Sequence, residues 1–382
     1  MKPKEITKAP KTDFTLDKLP HNGRILLYGS GDAGLSVLNK IRDRRPDIKV
    51  VCFLDSFDNG AVAGLRKVKL DDLPSLNIQY DFILITSAWW RDIVTKLEMA
   101  GISDYGVASL GLWHKYVYTH GDMIQAQDDI KAAKALLNTD KDKTIFQFLV
   151  DGRCEGSSLV NLDAINSQIV DYPRIRNTVF SHLTEQYLDF IQRDTIKTIL
   201  HAGVFDGMDC LKFLGFFPGI EAIHGFEPWG NSNISRETLK LIEQSGKVHI
   251  HPMGLWHSRD ILPMTGHGAC ATLRSDAPLN PKTKTIHTIS IDEFVMMHRI
   301  KRVDYICLDI EGAEAQALVG AKKTITEHRP NLAVSIYHKK EDIFRLPLLL
   351  NNMLKDYIFH IGHYCHFLNE TILYAIPVEQ RE

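Results

Sequence analysis

Seven short runs rich in apolar and β-branched residues succeed one another between residues 196 and 377, and their spacing changes once. "IKTILHA" (196–202), "EAIHGFE" (221–227), "KVHIHPM" (247–253), "VDYICLD" (303–309) and "NLAVSIY" (331–337) are separated by stretches long enough for a helix. The last two, "YIFHIGHY" (357–364) and "ETILYAIP" (370–377), are not. Strands joined through helices lie parallel, whereas a short connection can only return the chain antiparallel. The spacing therefore predicts a doubly wound α/β sheet with an antiparallel last strand. A sheet of that kind offers ligands the crevice outside the carboxyl ends of its strands.

A shorter series opens the chain. "RILLYG" (24–29), "KVVCFLD" (49–55) and "DFILITS" (81–87) alternate with helical patterns such as "WRDIVTKLEMAGI" (90–102), which predicts a second, Rossmann-like parallel sheet. Residues 121–195 lack the alternation. "GDMIQAQDDIKAAKALLN" and "HLTEQYLDFIQRD" have helical spacing. The expected organisation is a polar segment 1–20, a nucleotide- or dinucleotide-binding-like domain 21–120, a helical connector 121–195 and an α/β domain 196–382.

Composition narrows the class. A formal net charge of −2 gives no electrostatic case for nucleic acid or an anionic membrane surface as main partner. There is no 18-residue apolar run, and the first twenty residues lack the apolar core of a signal peptide. Six scattered cysteines without a CxxC pair read as reduced thiols of a cytoplasmic protein. Self-association into a homo-oligomer is compatible with all of this.

Two glycine loops come directly after first strands. Gly29-Ser30-Gly31-Asp32-Ala33-Gly34 fits GxGxxG between a strand and a helix. Asp55 ends the next strand, where a carboxylate accepts from ribose hydroxyls. That pattern suits a nucleotide or NAD; a loop that only packs is the alternative. Trp89 and Trp90 come after a strand end and read as buried anchors, an oligomer contact or ligand neighbours. The second loop, Gly203-Val204-Phe205-Asp206-Gly207, has only the G-x-x-x-G spacing. The residues at later strand ends carry more weight. Glu227 ends the next strand, the third ends in "MGLW" with Gly254 and Leu255, and "LDIEGAE" ends the fourth. A ligand over that edge meets Gly203, Glu227, Gly254 and Asp309 together, as a mononucleoside site on one sheet.

Asp309, Glu311 and His338 all lie just after strand ends and are the candidates for acid–base chemistry. A helix cap is the structural alternative for Asp309, and orientation of a loop the alternative for His338. Glu314 reads as structural. The cluster His360, His363, Cys365 and His366 in "HIGHYCH", and the pair His249 and His251, match no known zinc-ligand spacing, so no metal site is expected.

Residues 196–377 resemble the FkbM-type S-adenosylmethionine-dependent methyltransferases. The resemblance rests on "AGVFDG", "GFEP", "GLW", "SIDEF", "VDYICLDIEGAEAQALVGA", "RPNLAVSIYHKKED" and "NETILYA", in consistent order over nearly half the chain. It implies a class I methyltransferase sheet and O-methylation of a sugar, glycan or related small molecule, as in polysaccharide biosynthesis. Carried over by position, Gly203, Val204, Asp206 and Gly207 form the cofactor loop, and Glu227 beside Pro228 takes the ribose. Gly254 and Leu255 lie by the adenine, while Asp309 and Glu311 face the transfer centre. Two positions depart. His201 stands where the family usually has an acid for the methionine amino end, and Cys307 where it tends to have lysine. A degenerate fold serving as a nucleotide-sugar-binding or scaffold module is thus the alternative function. An oxidoreductase using the first loop ranks lower, because no Tyr-x-x-x-Lys comes after it persuasively. Residues 1–110 resemble, more loosely, nucleotide-sugar or dinucleotide-binding domains.

Overall fold

The structure is a computed structural model and describes residues 12–113, 117–154, 157, 185–265, 272–273, 284–365 and 367–381. The chain divides into two compact units, Met1–Gln125 with Phe148–Val179 and His366–Leu368, and Ala126–Gln147 with Phe180–Cys365 and Asn369–Glu382.

The first unit holds a six-stranded sheet of β1 (Arg24–Tyr28), β2 (Lys49–Asp55), β3 (Gly60–Val62), β4 (Leu65–Lys69), β5 (Phe82–Ile85) and β6 (Tyr105–Val107), in the order β3-β4-β2-β1-β5-β6. All its pairs are parallel except β3–β4. Every residue of β5, and all of β1 after Arg24, is buried, as expected of strands covered on both faces. The β3–β4 hairpin is an addition to the expected series. Ala63 and Gly64, both at positive φ (51° and 78°), turn it.

The second unit contains β7 (Thr198–Ala202), β8 (Ala222–Phe226), β9 (Val248–His251), β10 (Gly254–Leu255), β11 (Asp260–Thr265), β12 (Thr272–Leu273), β13 (Thr285–Ile289), β14 (Tyr305–Leu308), β15 (Asn331–Ser335), β16 (Tyr357–His363) and β17 (Thr371–Pro377). Seven of these form a sheet in the order β16-β17-β15-β14-β7-β8-β9. Only β17 runs antiparallel to its neighbours, as the spacing predicts. The central strands β14, β15 and β17 are buried throughout. Asp304 aligns β14 with β7 by accepting from the N–H groups of Lys197 (3.0 Å) and Thr198 (2.9 Å). In that register Leu308 pairs with Ala202, and Ala202 with Phe226. Asp309, Gly203 and Glu227 therefore leave the sheet at one level.

Two expectations are corrected. The third strand ends at His251 and does not run into "MGLW". A turn closed by Met253 N–H on the His251 carbonyl (2.8 Å) carries Gly254 and Leu255 into a separate sheet, paired with β13. The second correction concerns the connector. "GDMIQAQDDIKAAKALLN" does form a helix, His120–Leu136, and Asp140–Gly152 is the next. Both begin with a reciprocal Thr-x-x-Asp box, Thr119 with Asp122 and Thr139 with Asp142. "HLTEQYLDFIQRD", however, has no α-helix among its described residues; turns lead to a short 3-10 helix, Arg193–Thr195. Its groups are claimed by the sheet instead. Tyr187 N–H donates to the Tyr374 hydroxyl (2.9 Å), Tyr364 donates to Asp189 (2.6 Å), and Tyr187 and Phe190 take positive φ.

One face of β8 and β9 carries His224 and His251 against Phe294 and His298 of the helix Ile291–Met297 and its C-terminal cap, with His249 stacked on His224. His224 Nδ1 and His251 Nε2 are 3.3 Å apart, and Phe294 and His298 rings lie 4.2 Å apart between centroids. Burial, then the neighbouring imidazoles, pull His224 and His251 down to about 4. Below an unfolded value of ~6.5 the unfolded chain takes up protons that these folded rings refuse. Their contribution to stability is thus full above that value and is lost as pH falls towards 4. The thermal midpoint should drop over that window, and the double variant His224→Gln, His251→Gln should flatten the drop. An equal slope in both proteins would refute the assignment. Among the described residues no helix is long and apolar enough to cross a membrane.

Candidate active site

The cofactor-loop candidates converge at the carboxyl end of β7. Gly203 has φ of 92°, and a Cβ there would lie 1.8 Å from the Asp309 carbonyl oxygen. Only glycine lets the loop pass so close to the end of β14. Val204 is buried, with Gly225 beneath it, where a Cβ would come within 2.7 Å of its side chain. Asp206 accepts from Met208 N–H (3.0 Å), and Gly207, at φ of 79°, caps the helix Met208–Phe216. Glu227 is buried at the end of β8. Its two oxygens accept from the N–H groups of Phe205 (3.0 Å) and Trp229 (3.1 Å), and so tie the loop to the turn through Pro228. Burial pushes its carboxyl up while those two N–H groups pull against it. Each oxygen keeps a lone pair for a further donor.

Gly254 and Leu255 are buried in β10. The next residue, Trp256, packs on Ala313 and Ile310 of the loop beyond Asp309. His201 is wholly buried, edge-on to Phe213 (5.2 Å), and neither ring nitrogen has a hydrogen-bond partner. Burial lowers its affinity for a proton, so the ring is neutral. Cys307 pairs with it in the sheet and is equally buried.

Asp309 is the centre of the acidic group. Tyr187 donates to its Oδ2, and Tyr337 lies 3.2 Å from the same oxygen. Burial and the Asp309 charge keep both phenols protonated. His338 is buried after β15, its Nδ1 2.8 Å from Glu314 Oε1 and its Nε2 3.1 Å from Asp309 Oδ1 and 3.7 Å from Glu311 Oε1. Burial works against charge on this imidazole, but Glu314 and Asp309 outweigh it and hold it protonated. Burial likewise disfavours the Asp309 carboxylate, and His338 beside it, with the hydroxyls of Tyr187 and Tyr337, outweighs that and keeps it ionised. His338 thus supplies the cation that Cys307 does not. Glu311 stands at positive φ (53°) in the turn. Glu314 accepts from Ile310 N–H (2.9 Å) as well as from His338, so it fixes both loop and ring.

Sequence reasoning passed over Tyr187, Tyr337 and Glu370. Gln186 links Glu370 (2.8 Å) to the Tyr187 hydroxyl (3.1 Å). Tyr337 and Glu370 lie inside "SIYHK" and "NETILYA", and their place beside strand ends was the available signal. The described histidines of "HIGHYCH", His360 and His363, have structural partners. His360 pairs with Asp142 (3.0 Å) and stacks on Phe190 (4.2 Å), His363 meets the Thr371 hydroxyl (2.9 Å), and Cys365 donates to the Asn369 carbonyl. His366 lies outside the described residues.

In the first unit, Gly29, Gly31, Gly34 and Asp55 do come together beyond β1 and β2. A Cβ on Gly34 would lie 1.9 Å from the Gly29 carbonyl oxygen, whereas one on Gly31 would meet nothing within 4 Å. Asp55 accepts from the Ser30 hydroxyl and from Phe57 N–H (2.9 Å). Trp90 is buried and Trp89 exposed.

A parallel sheet with one antiparallel strand between β15 and β16, and a glycine loop and an acid at the ends of its first two strands, define the class I fold of S-adenosylmethionine-dependent methyltransferases. Residues 213–361 match the family model described as methyltransferase FkbM domain, and the chain carries that domain. The solved structure of a methyltransferase FkbM from Methylobacillus flagellatus KT is similar in fold, with a TM-score of 0.57 at 17% identity over 93% of this chain and 91% of that one. Fibrillarin from Aeropyrum pernix, solved with natively bound S-adenosyl-L-methionine, aligns with a TM-score of 0.31 at 11% identity over 50% of this chain and 71% of its own. A comparison with curated proteins finds no match.

Proposed function

We propose that this methyltransferase is an O-methyltransferase acting on a hydroxyl of a sugar, glycan or related small molecule, and that Asp309 receives the hydroxyl. The observation that carries this reading is the ionised Asp309 carboxylate, on which two phenol hydroxyls already converge. A group that accepts from O–H donors there is suited to an acceptor O–H. Gly203 and Glu227 hold the cofactor's nucleoside side of the crevice, with Gly254 and Leu255 towards its base. Methyl transfer from a sulfonium is an in-line displacement in which the acceptor oxygen attacks the methyl carbon as the carbon–sulfur bond breaks. It depends chiefly on alignment. As the carbon–oxygen bond forms, the hydroxyl proton passes to Asp309. His338, held protonated by its carboxylates, cannot take that proton; it keeps Asp309 charged and in place. In the first unit, the open space over Gly31 and the carboxylate of Asp55 support binding of a nucleotide or NAD.

A radiolabelled methyl-transfer assay against cell-envelope glycans, nucleotide sugars and free sugars tests the reaction. Base-stable label in a sugar is expected. Label found only on nitrogen or carbon, or no transfer to any acceptor by protein that binds cofactor, would contradict it and favour the scaffold alternative.

A further inference from the structure

We infer that Asp309, His338 and Glu311 form a site for one first-row divalent metal ion at the transfer centre, with Glu314 setting the imidazole from behind. The inference rests on the methyltransferase reading only for its use, not for its geometry. Three observations carry it. Ligand atoms of Asp309, Glu314 and His338 all lie within 4.8 Å of one another. His338 Nε2 is buried, points at Asp309 (3.1 Å) and Glu311 (3.7 Å), and yet makes no aligned hydrogen bond to either. Glu314 is fully buried, and its second oxygen, Oε2, has no hydrogen-bond partner.

Adjacent ligands of a six-coordinate ion with bonds near ~2.1 Å stand roughly 3 Å apart, which the Nε2–Asp309 separation already meets. The side chain of Glu311 is 30% exposed, so a small rotation on its open side closes the remaining distance. Metal-bound histidines are commonly oriented by a carboxylate on their other nitrogen, and the 2.8 Å contact from Nδ1 to Glu314 has that form. One imidazole with carboxylates suits manganese or zinc better than magnesium or calcium, which take oxygen alone. The ion would take the place of the Nε2 proton between the carboxylates Asp309 and Glu311. Positions left open on it would face the acceptor, where a bound hydroxyl loses its proton more readily.

The test is titration of the full chain with Mn2+, monitored by the loss of the free ion's electron paramagnetic resonance signal, with no cofactor or acceptor present. One equivalent should bind, and Asp309→Asn and His338→Gln should each weaken binding at least tenfold. Glu311→Gln should weaken it too, and keeps the test alive if a buried variant misfolds. No binding at millimolar Mn2+, or equal binding in folded Asp309→Asn and His338→Gln, would overturn the inference. S-adenosylhomocysteine titrated into the same samples separates the two claims: protein that binds it but no Mn2+ refutes only the metal site.

Discussion

Asp309→Asn is expected to lower methyl-transfer turnover about 100- to 10,000-fold while changing cofactor affinity much less. The substitution keeps the shape of the side chain and removes the charge that receives the acceptor proton, and a general base is typically worth about that factor. A loss confined to turnover is the signature of an interaction made in the transition state. The surroundings sharpen the expectation. An asparagine leaves His338 facing one fewer carboxylate, and Tyr187 and Tyr337 then donate to a neutral amide. Turnover and cofactor affinity measured in the same preparation decide the point. Full turnover in the variant would remove Asp309 from the chemistry.

The second large effect is structural. Gly203→Ala should destabilise the second unit by about 2–5 kcal/mol, combining positive-φ strain with overpacking. The added methyl would sit 1.8 Å from the Asp309 carbonyl oxygen, which is backbone and cannot swing aside. Either β7 and β14 separate at their ends or the loop moves, and both spoil the crevice. Cofactor binding should therefore fall with stability. A Gly203→Ala protein that melts like wild type and binds cofactor normally would show that the close approach does not exist in solution.

Much of this was legible in the sequence because buried parallel strands write themselves as continuous apolar runs. β14, β15 and β17 are of that kind, and each lies inside the run that announced it. The short gap before β17 fixed its direction. Sites at strand ends are a consequence of such a sheet, and Gly203, Glu227, Asp309 and His338 do meet at one edge. What was not legible depends on long-range pairing. Gly254 and Leu255 look like the end of β9 until β13, some thirty residues away, claims them. The segment around Tyr187 has helical spacing, but its backbone is tied to residues near 374, and no local pattern carries that information. The role of His338 was hidden for another reason. A histidine at a strand end reads as a base until two carboxylates, one of them Glu314 from the helix that comes after β14, are seen on either side of it.

The measurement that bears most directly on the cofactor site is calorimetric titration of the full chain and its Glu227→Ala variant with S-adenosylhomocysteine. Glu227 is buried at the end of β8, its two oxygens hold the loop and the turn, and each retains a lone pair for a ribose hydroxyl. Losing such charge-assisted hydrogen bonds costs about 1.5–3 kcal/mol, or roughly 10- to 150-fold in affinity. Stoichiometric binding by wild type and that weakening in a folded variant are the predicted result. No binding by wild type, or unchanged affinity in Glu227→Ala, would contradict the placement of the cofactor on this sheet edge.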